Sequence, residues 1–590
     1  MPLSSRALAR EGPFVLILGL AALVRLPYLL YWDLFFSSDT AVLGLMARRF
    51  LRGEFSIYYW GEAYYGALDP LLLAPLFKVF GATPAVSHVI PFVFSLLTVW
   101  LFHRYARRVL DPRSAHIATL VLALAPPAFF QAGFSVYNYT FVMFFGVIHL
   151  ILFDRYLRGD RRKTLFFLSG LVAGFSWYYF RLILVFWAAI LLTAVVKRFG
   201  REEWLKWKAK AAALSLSRLW NNVLLLRRAP LPRAAKAFLA VINFYNLANL
   251  ALACFLWIRG DWFWTLGRLK VKLYLWPIFR TSVLLALLVF AAAHYRKALP
   301  LWRKFRADAG ARFLALGFLA GFSPALAGYA TGLSPSSPGG LMALPQIIKN
   351  LTLAVPEMTV RLAGSSRIPA LQQVSMAVAV AVTVFLAAGL WSQTRRRFRE
   401  GTPVEPVFPL LALFLTTWAL GIAGTRLEDP NTTRFFVPLF FCLPVGLALG
   451  LKALTKKSAP AGWVLLAAFL ANSLAAHIPV WKNHRSPAWH ELMARDLAAE
   501  KVRGGYADYW TAYYLTFLTG EKIILTPVSG KERYRPYVDF VKTLEEVILL
   551  GIPAPPEGAR IRILDTEYEV VRRDIWESHP ASVLKKIPSP

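Results

Sequence analysis

Apolar runs of about twenty residues recur along this chain, and nothing else in the sequence constrains its fold as strongly. A helix rises about 1.5 Å per residue against a hydrocarbon core of about 30 Å, so a run of that length crosses a bilayer. Such runs lie near 13–31, 85–103, 114–131, 138–154, 164–180, 182–199, 237–258, 281–295, 312–331, 374–391, 406–424, 434–451 and 461–480. They predict an all-α polytopic membrane protein with about thirteen spanning helices. Composition agrees: 57% of residues are apolar and only 17% are charged, against about 25% charged in soluble domains. Soluble multi-domain and disordered readings are excluded.

A net charge of +34 could suggest a polyanion partner, but its distribution argues otherwise. Residues 481–590 hold 16 basic and 15 acidic residues, so nearly all of the excess belongs to 1–480. There it sits in short loops at Arg6 and Arg10, 104–113, 155–163, 197–236, 296–312, 395–399 and 452–457. Alternate loops put these clusters on one side, which the positive-inside rule makes cytoplasmic. The N-terminus is then cytoplasmic, the tail is extracytoplasmic, and no nucleic-acid partner is expected. Arg259, Arg268, Lys270, Lys272 and Arg280 break the pattern. They require either an interfacial amphipathic segment, with Trp262, Trp264 and Trp276, or a different span assignment. Arg6 and Arg10 precede a run too long for a signal peptide, so the first span reads as a retained anchor. Cys254 and Cys442 are isolated and form neither a disulfide framework nor a zinc pattern. No internal repeat is visible, which weighs against a transporter.

The expected organisation is a membrane domain over 1–480 and a small α/β domain over 481–590. Within the first, the outer loop 32–84 holds Asp33, Asp39, Glu54, Glu62 and Asp69, although acids are scarce throughout 1–480. Thr40–Leu51 has helical spacing, with Asp39 as its N-cap or first-turn acid. The run 69–80 is too short to span and suits a helix against the membrane surface. A carboxylate at that boundary needs a partner or a task. Capping explains Asp39, a solvated turn explains Glu54, and Arg48, Arg49 or Arg52 could pair Glu62 and Asp69. Residue by residue, both the structural and the chemical readings stay open.

The order of elements is more specific. A span carrying Arg25 in AALVRLPYLL, an aromatic stretch, and an acid opening a helix at Ser38-Asp39-Thr40-Ala41 together resemble the GT-C membrane glycosyltransferases. The branch is that of the protein O-mannosyltransferases and the lipid A aminoarabinose transferase. The runs YYWGEAYYGALDPLLLAPLFKVFG and TRFFVPLFFCLP are similar to later parts of that branch, and GGYADYWTAYYLTFLTGEKIILTP to its extracytoplasmic tail.

The resemblance implies transfer of a hexosyl or pentosyl group, with inversion, from a polyprenyl-phosphate-linked donor on the outer face of a bacterial inner membrane. The acceptor would be a protein, lipid or glycan. Asp39 matches the catalytic base. Thr40 stands where the branch often has a second acid, so supporting and acceptor-binding work passes to Glu62, Asp69 and Tyr64. Arg434, Arg25 and Arg181 are the candidate ligands of the donor phosphate, with Arg426 nearby, because the planar guanidinium fork suits phosphate oxygens. The second outer loop, QAGFSVYN, lacks an acid, so a two-carboxylate metal site is not supported; no cofactor is required, and a divalent metal stays open.

Other segments carry weaker expectations. The loop 332–373 reads as a cover over the site or a plain connector. In the tail, EKIILTPV and RIRILDTEYEVVRR look like strands, while Tyr506, Asp508, Tyr509, Trp510, Tyr513 and Tyr514 form either a sugar platform or domain core. His477, His484 and His490 read as surface or interfacial residues. Asn138, Asn350 and Asn431 are sequons. The alternative function is a lipid or polysaccharide transporter or flippase without glycosyl transfer.

Overall fold

The computed structural model describes residues 5–198 except 136, then 202, 232–259 and short stretches to 285, 307–330, 342–352, 364 and 368–425. It continues over 430–485, 488–499 and 502–588 except 530–531, 554 and 577–578. Most of the expected span 281–295, most of the loop 332–373, Trp276, Arg280 and Arg426 lie outside the described residues.

The chain begins with α1 (Ser5–Leu30), α2 (Ser38–Leu51), a β1–β2 hairpin (Tyr58–Tyr59, Glu62–Gly66) and α3 (Leu68–Phe80). Next come α4 (Val89–Val109), α5 (Pro112–Ala123), α6 (Pro127–Ser135), α7 (Asn138–Leu157), α8 (Lys163–Tyr179) and α9 (Leu184–Arg198). They are followed by α10 (Arg233–Arg259), α11 (Ala309–Ala330), α12 (Pro369–Glu400), α13 (Phe408–Gly424), α14 (Leu439–Thr455) and α15 (Ala459–Trp481). Among the described residues six helices are long and apolar enough to cross a membrane, or seven if α5 and α6 form one bent span. The protein is thus mostly helical and integral to a membrane, with fewer full-length spans described than the thirteen expected. Several predicted runs fold as shorter helices; α8 and α13 have 17 residues each and α9 has 15.

Three local features depart from the expected spans for identifiable reasons. The run 114–131 bends by 63° between α5 and α6, where Pro126-Pro127 removes two helix donors and disfavours helix before it. Trp262–Leu266 (β3) and Leu269–Leu273 (β4) pair as antiparallel strands. The sequence WFWTL-GR-LKVKL carries the alternation and two-residue connection of a hairpin. Between α8 and α9 the chain breaks at Phe180, in extended conformation, and a single 3₁₀ turn follows at Arg181–Ile183.

Close approach of α8 to α11 rests on Gly170 and Gly174 on one helix and Gly317 and Gly321 on the other. A methyl group at Gly174 would strike the backbone of Phe318 and Phe322; one at Gly321 would strike that of Leu171 and Phe175. Without bulk hydrophobic driving force in lipid, such small-residue contacts let backbones pack directly.

The basic residues of the described loops gather at one end of the bundle. Arg108 and Arg158 pair with Asp154 at 3.3 and 3.0 Å, and Lys452 pairs with Asp111 at 2.8 Å. Arg397 donates to the carbonyls of Val196 and Lys197, and Lys163 lies over Phe313. The acid-bearing loop lies at the other end, against the C-terminal segment.

That segment holds α16 (Trp489–Ala499), α17 (Tyr509–Leu518), α18 (Arg535–Thr543) and a mixed six-stranded sheet. In sheet order the strands are β6 (Ile524–Pro527), β5 (Gly504–Ala507), β7 (Glu546–Leu550), β10 (His579–Lys586), β9 (Thr566–Trp576) and β8 (Arg560–Ile563). β5 runs parallel to β6 and β7, and the remaining pairs are antiparallel. The run RIRILDTEYEVVRR is therefore two strands, turning at Leu564-Asp565, with Leu564 at φ 55°. Tyr506, Tyr513 and Tyr514 are core residues, and Asp508 caps α17 by accepting from the Trp510 and Thr511 amides. His477 is buried against Tyr28 rather than at the surface, and His490 stacks on Tyr514. Asn138 and Asn350 are buried too.

Candidate active site around Asp39

The sequence Ser37-Ser38-Asp39-Thr40 divides its labour. Ser37 is the N-cap of α2, accepting from the Thr40 amide, so Asp39 is a first-turn acid and not the cap. Its charge suits the positive end of the helix dipole, as Arg48 and Arg49 suit the other end. The Ser38 hydroxyl donates to the carbonyls of Tyr509 and Trp510 at 2.7 and 3.1 Å. The Thr40 hydroxyl donates to the Ser135 carbonyl at 2.9 Å. The three hydroxyls dock the helix start between α6 and α17, which leaves the Asp39 carboxylate free to face the cleft, 20% exposed.

Asp39 Oδ1 collects every partner. Tyr509 donates its hydroxyl to it, Tyr59 does so at 3.4 Å, and Arg533 Nη2 stands 3.7 Å away. Oδ2 takes no hydrogen bond among the described residues. Burial first, and then the Asp39 charge, hold the Tyr509 phenol well above its ordinary value, so it remains a donor.

Glu62, from β2, is paired with the same Arg533. Tyr64, two residues on, lies against Phe180 and within hydrogen-bonding reach of Glu62; burial, then that carboxylate, raise its phenol. Arg48, Arg49 and Arg52 do not hold Glu62 or Asp69. Arg49 and Arg52 pair with Glu521 at 2.7 and 3.3 Å, Arg49 also reaches Glu54, and Arg48 donates to the Phe517 and Ala82 carbonyls. These basic residues therefore fasten α2 to the C-terminal segment.

Asp69 is not part of the cleft. It is fully buried one layer below, where the Tyr65 and Tyr179 hydroxyls donate to it at 2.7 and 2.9 Å. Burial pushes its carboxyl up to about 7, against those hydrogen bonds. No acceptor reaches it, and its visible role is to tie α3 to β2 and α8.

The three candidate phosphate ligands also separate. Arg25 is fully buried in α1, donating to Ser95 Oγ at 3.0 Å and to the Ala21 and Ala123 carbonyls at 2.9 and 2.8 Å. It braces α1 against α4 and α5, and its Nη2 is buried without a hydrogen-bond partner. Arg434 lies over Tyr139 at 5.8 Å and Phe435 at 5.4 Å. Its Nε is buried without a hydrogen-bond partner, and no carboxylate pairs with it among the described residues. Tyr139 in turn lies within electrostatic reach of Arg434, Asp39 and Glu62. Arg181 is at the same end beside Tyr58, further along the β1–β2 hairpin.

Arg533 and Tyr509 are what sequence reasoning missed or left undecided. The only local hint of Arg533 is the basic, aromatic run KERYRPY after Ser-Gly in an otherwise neutral tail. A cavity of about 800 Å³ between α7, α8, α9 and α11 is separate; His149, Phe166, Trp187 and Phe318 line it and no carboxylate does. Among the described residues no three His, Cys, Asp or Glu side chains stand together as a metal site, and the gap between Asp39 and Glu62 holds the Arg533 guanidinium.

Residues 68–219 match the family of dolichyl-phosphate-mannose-protein mannosyltransferases, which bears out the resemblance to GT-C membrane glycosyltransferases read from the first loop. The matched segment begins just beyond Asp39. No curated protein matches the chain. Among solved structures, archaeal oligosaccharyltransferase AglB from Archaeoglobus fulgidus, in complex with an inhibitory peptide and a dolichol-phosphate, is similar at TM-score 0.43 and 14% identity, covering 91% of this chain and 69% of that one. ArnT from Cupriavidus metallidurans, bound to undecaprenyl phosphate, is similar at TM-score 0.37 and 12% identity, covering 98% and 99%.

Proposed function

We propose that this protein is an inverting glycosyltransferase that moves a hexosyl or pentosyl group from a polyprenyl-phosphate donor to a hydroxyl of a protein, lipid or glycan acceptor. The observation that carries the reading is the asymmetric Asp39 carboxylate: Tyr509 and Tyr59 donate to Oδ1, Arg533 Nη2 stands 3.7 Å from it, and Oδ2 takes no hydrogen bond among the described residues. In the reaction Oδ2 takes the acceptor's hydroxyl proton as its oxygen attacks the anomeric carbon. The carbon–phosphate oxygen bond breaks on the opposite face, and polyprenyl phosphate leaves with the electron pair. Arg434 receives the phosphate charge, a task that suits a guanidinium whose buried Nε has no hydrogen-bond partner among the described residues. Phosphate leaves readily, so neither a strong acid nor a cofactor is needed. The Asp39 end is the extracytoplasmic face of a bacterial inner membrane, because the basic loops gathered at the opposite end favour the cytoplasm. The N-terminus is then cytoplasmic, and about thirteen segments traverse the membrane.

The test is turnover by the purified protein in liposomes, with undecaprenyl-phosphate-linked hexoses and pentoses as donors and an envelope extract as acceptor source. Release of undecaprenyl phosphate with inversion of the sugar is expected. Movement of the intact donor between leaflets without sugar release would favour a flippase and overturn the proposal.

Two substitutions examine its parts. Arg434→Gln is expected to raise the donor KM about tenfold to a hundredfold, the worth of about 1.5–3 kcal/mol for a charged hydrogen bond. Unchanged donor kinetics would remove Arg434 from the site. Trp510, 58% exposed beside Tyr509, is the member of the aromatic cluster left free to stack on a sugar face. Trp510→Ala is expected to raise acceptor KM roughly tenfold, from about 1.4 kcal/mol of lost stacking, with donor KM unchanged.

A further inference from the structure

We infer that Arg533 is a positioning residue: its guanidinium clamps Asp39 and Glu62 side by side and sets which Asp39 oxygen faces the acceptor. The kinetic half of this inference rests on Asp39 being the base; the electrostatic half does not.

The clamp is built from both ends of the chain. Tyr59 and Glu62 flank the turn of the β1–β2 hairpin at Trp60-Gly61, where Gly61 adopts φ 71°. The backbone of Glu532 and Arg533 leans on that turn, and a side chain at Gly61 would meet the Glu532 carbonyl at 3.2 Å. Tyr534 stacks on Trp60 at 4.0 Å, and the Arg533 amide donates to the Tyr513 hydroxyl at 2.6 Å. The segment is therefore pinned on both sides of Arg533.

The side chain is held as firmly as the backbone. Its guanidinium lies between the rings of Tyr59 and Tyr509, at 5.3 and 5.2 Å, a favourable cation–π position. Nη1 pairs with Glu62, Nε donates to the Tyr509 hydroxyl at 3.0 Å, and Nη2 faces Asp39 Oδ1. Three donors aimed at three acceptors need the planar fork of arginine; a lysine ammonium on a flexible stem cannot reach all three at once. Each of its three nitrogens is directed at a group of the clamp, whereas Arg434 has a buried Nε without a hydrogen-bond partner. The Arg533 charge offsets the mutual repulsion of the carboxylates, and its hold on Oδ1 turns Oδ2 outward.

The titratable and charged groups facing the pair are Tyr59, Tyr64, Tyr139, Tyr509 and Arg434. The tyrosines stay neutral, and Arg434 is tied to the pair only through Tyr139. Removing Arg533 therefore leaves two neighbouring carboxylates without a direct cation, and the proton affinity of Asp39 rises.

The experiment reads protonation without needing turnover. The full-length protein in liposomes is treated with dicyclohexylcarbodiimide, which attacks protonated carboxyls, and labelling of Asp39 is followed by mass spectrometry from pH 4 to 9. Relative to wild type, labelling in Arg533→Ala is expected to extend about 1–3 pH units higher, and millimolar guanidinium is expected to move it back. Arg533→Lys falls between, and Glu62→Gln in the Arg533→Ala background reverses part of the shift. An Asp39 labelling curve that does not move, or that moves without responding to guanidinium, would overturn the clamp whatever the protein transfers.

Turnover separates the remaining outcomes. Arg533→Ala is expected to lower kcat about a hundredfold through misplacement of the base, with donor KM little changed and the acidic limb of the kcat profile displaced upward. A rise in donor KM alone would make Arg533 a phosphate ligand and overturn the proposal. Should wild type turn over no polyprenyl-phosphate sugar, the functional reading fails while the labelling result still decides the clamp.

Discussion

Asp39→Asn is expected to lower sugar transfer by about 10²- to 10⁴-fold, the range a positioned general base contributes. Asparagine keeps the size of the side chain and an acceptor for the Tyr509 hydroxyl, so the docking of α2 through Ser37, Ser38 and Thr40 should survive. What is lost is the basic oxygen facing the cleft. Expression, membrane insertion and monodispersity in detergent should match wild type. Donor binding, read as retention of undecaprenyl phosphate, should also persist, because Arg434 is untouched. Wild-type transfer by this variant would remove Asp39 from the mechanism and with it the reason for placing the chemistry in this loop. Asp69→Asn makes an informative contrast: Asp69 is sealed beneath the cleft, so its change should act on stability and not on the pH dependence of transfer.

The second large effect concerns the membrane helices. Gly321→Leu is expected to destabilise the protein by about 3 kcal/mol or more, because its Cβ would collide with the Leu171 and Phe175 backbone and rigid backbone cannot yield as a side chain can. Either α8 and α11 separate, opening the helix pair along its length, or the fold fails. The measurement is thermal unfolding in detergent, with Gly450→Leu as the control. Gly450 has nothing within 4 Å of an added Cβ, so leucine there should be tolerated. Equal losses from the two substitutions would show that helix packing at Gly321 is not special.

Several features were legible in the sequence because their causes are local. Apolar length marks helices that can reside in lipid, and the clustering of arginine and lysine in alternate loops anticipates their meeting at one end of the bundle. The Ser-Ser-Asp-Thr start of α2 was equally readable, down to a first-turn acid, though not which serine caps. Local rules also explain most of the failures. Pro126-Pro127 should have broken the run 114–131, and the alternation about Gly267-Arg268 should have marked a hairpin; in both cases apolar content masked a geometric signal.

The partners of the acids were another matter. Arg25 and Asp69 looked like site residues because buried charge is costly and so suggests a task, yet three acceptors hold Nε and Nη1 of the first and two tyrosines hold the second. Burial says that a charge has partners; it does not say whether those partners are substrate or protein. Conversely, Tyr509 contacts Asp39 across 470 residues of chain, and Arg533 belongs to the same C-terminal segment. No periodicity or spacing encodes a contact of that range. The sequence by itself determined a membrane-resident helical protein, its charge asymmetry and an acid poised at the start of α2. Only the tertiary structure decided which acids share Arg533 and which oxygen of Asp39 takes the tyrosine hydroxyls, because those depend on two distant segments closing over the same hairpin.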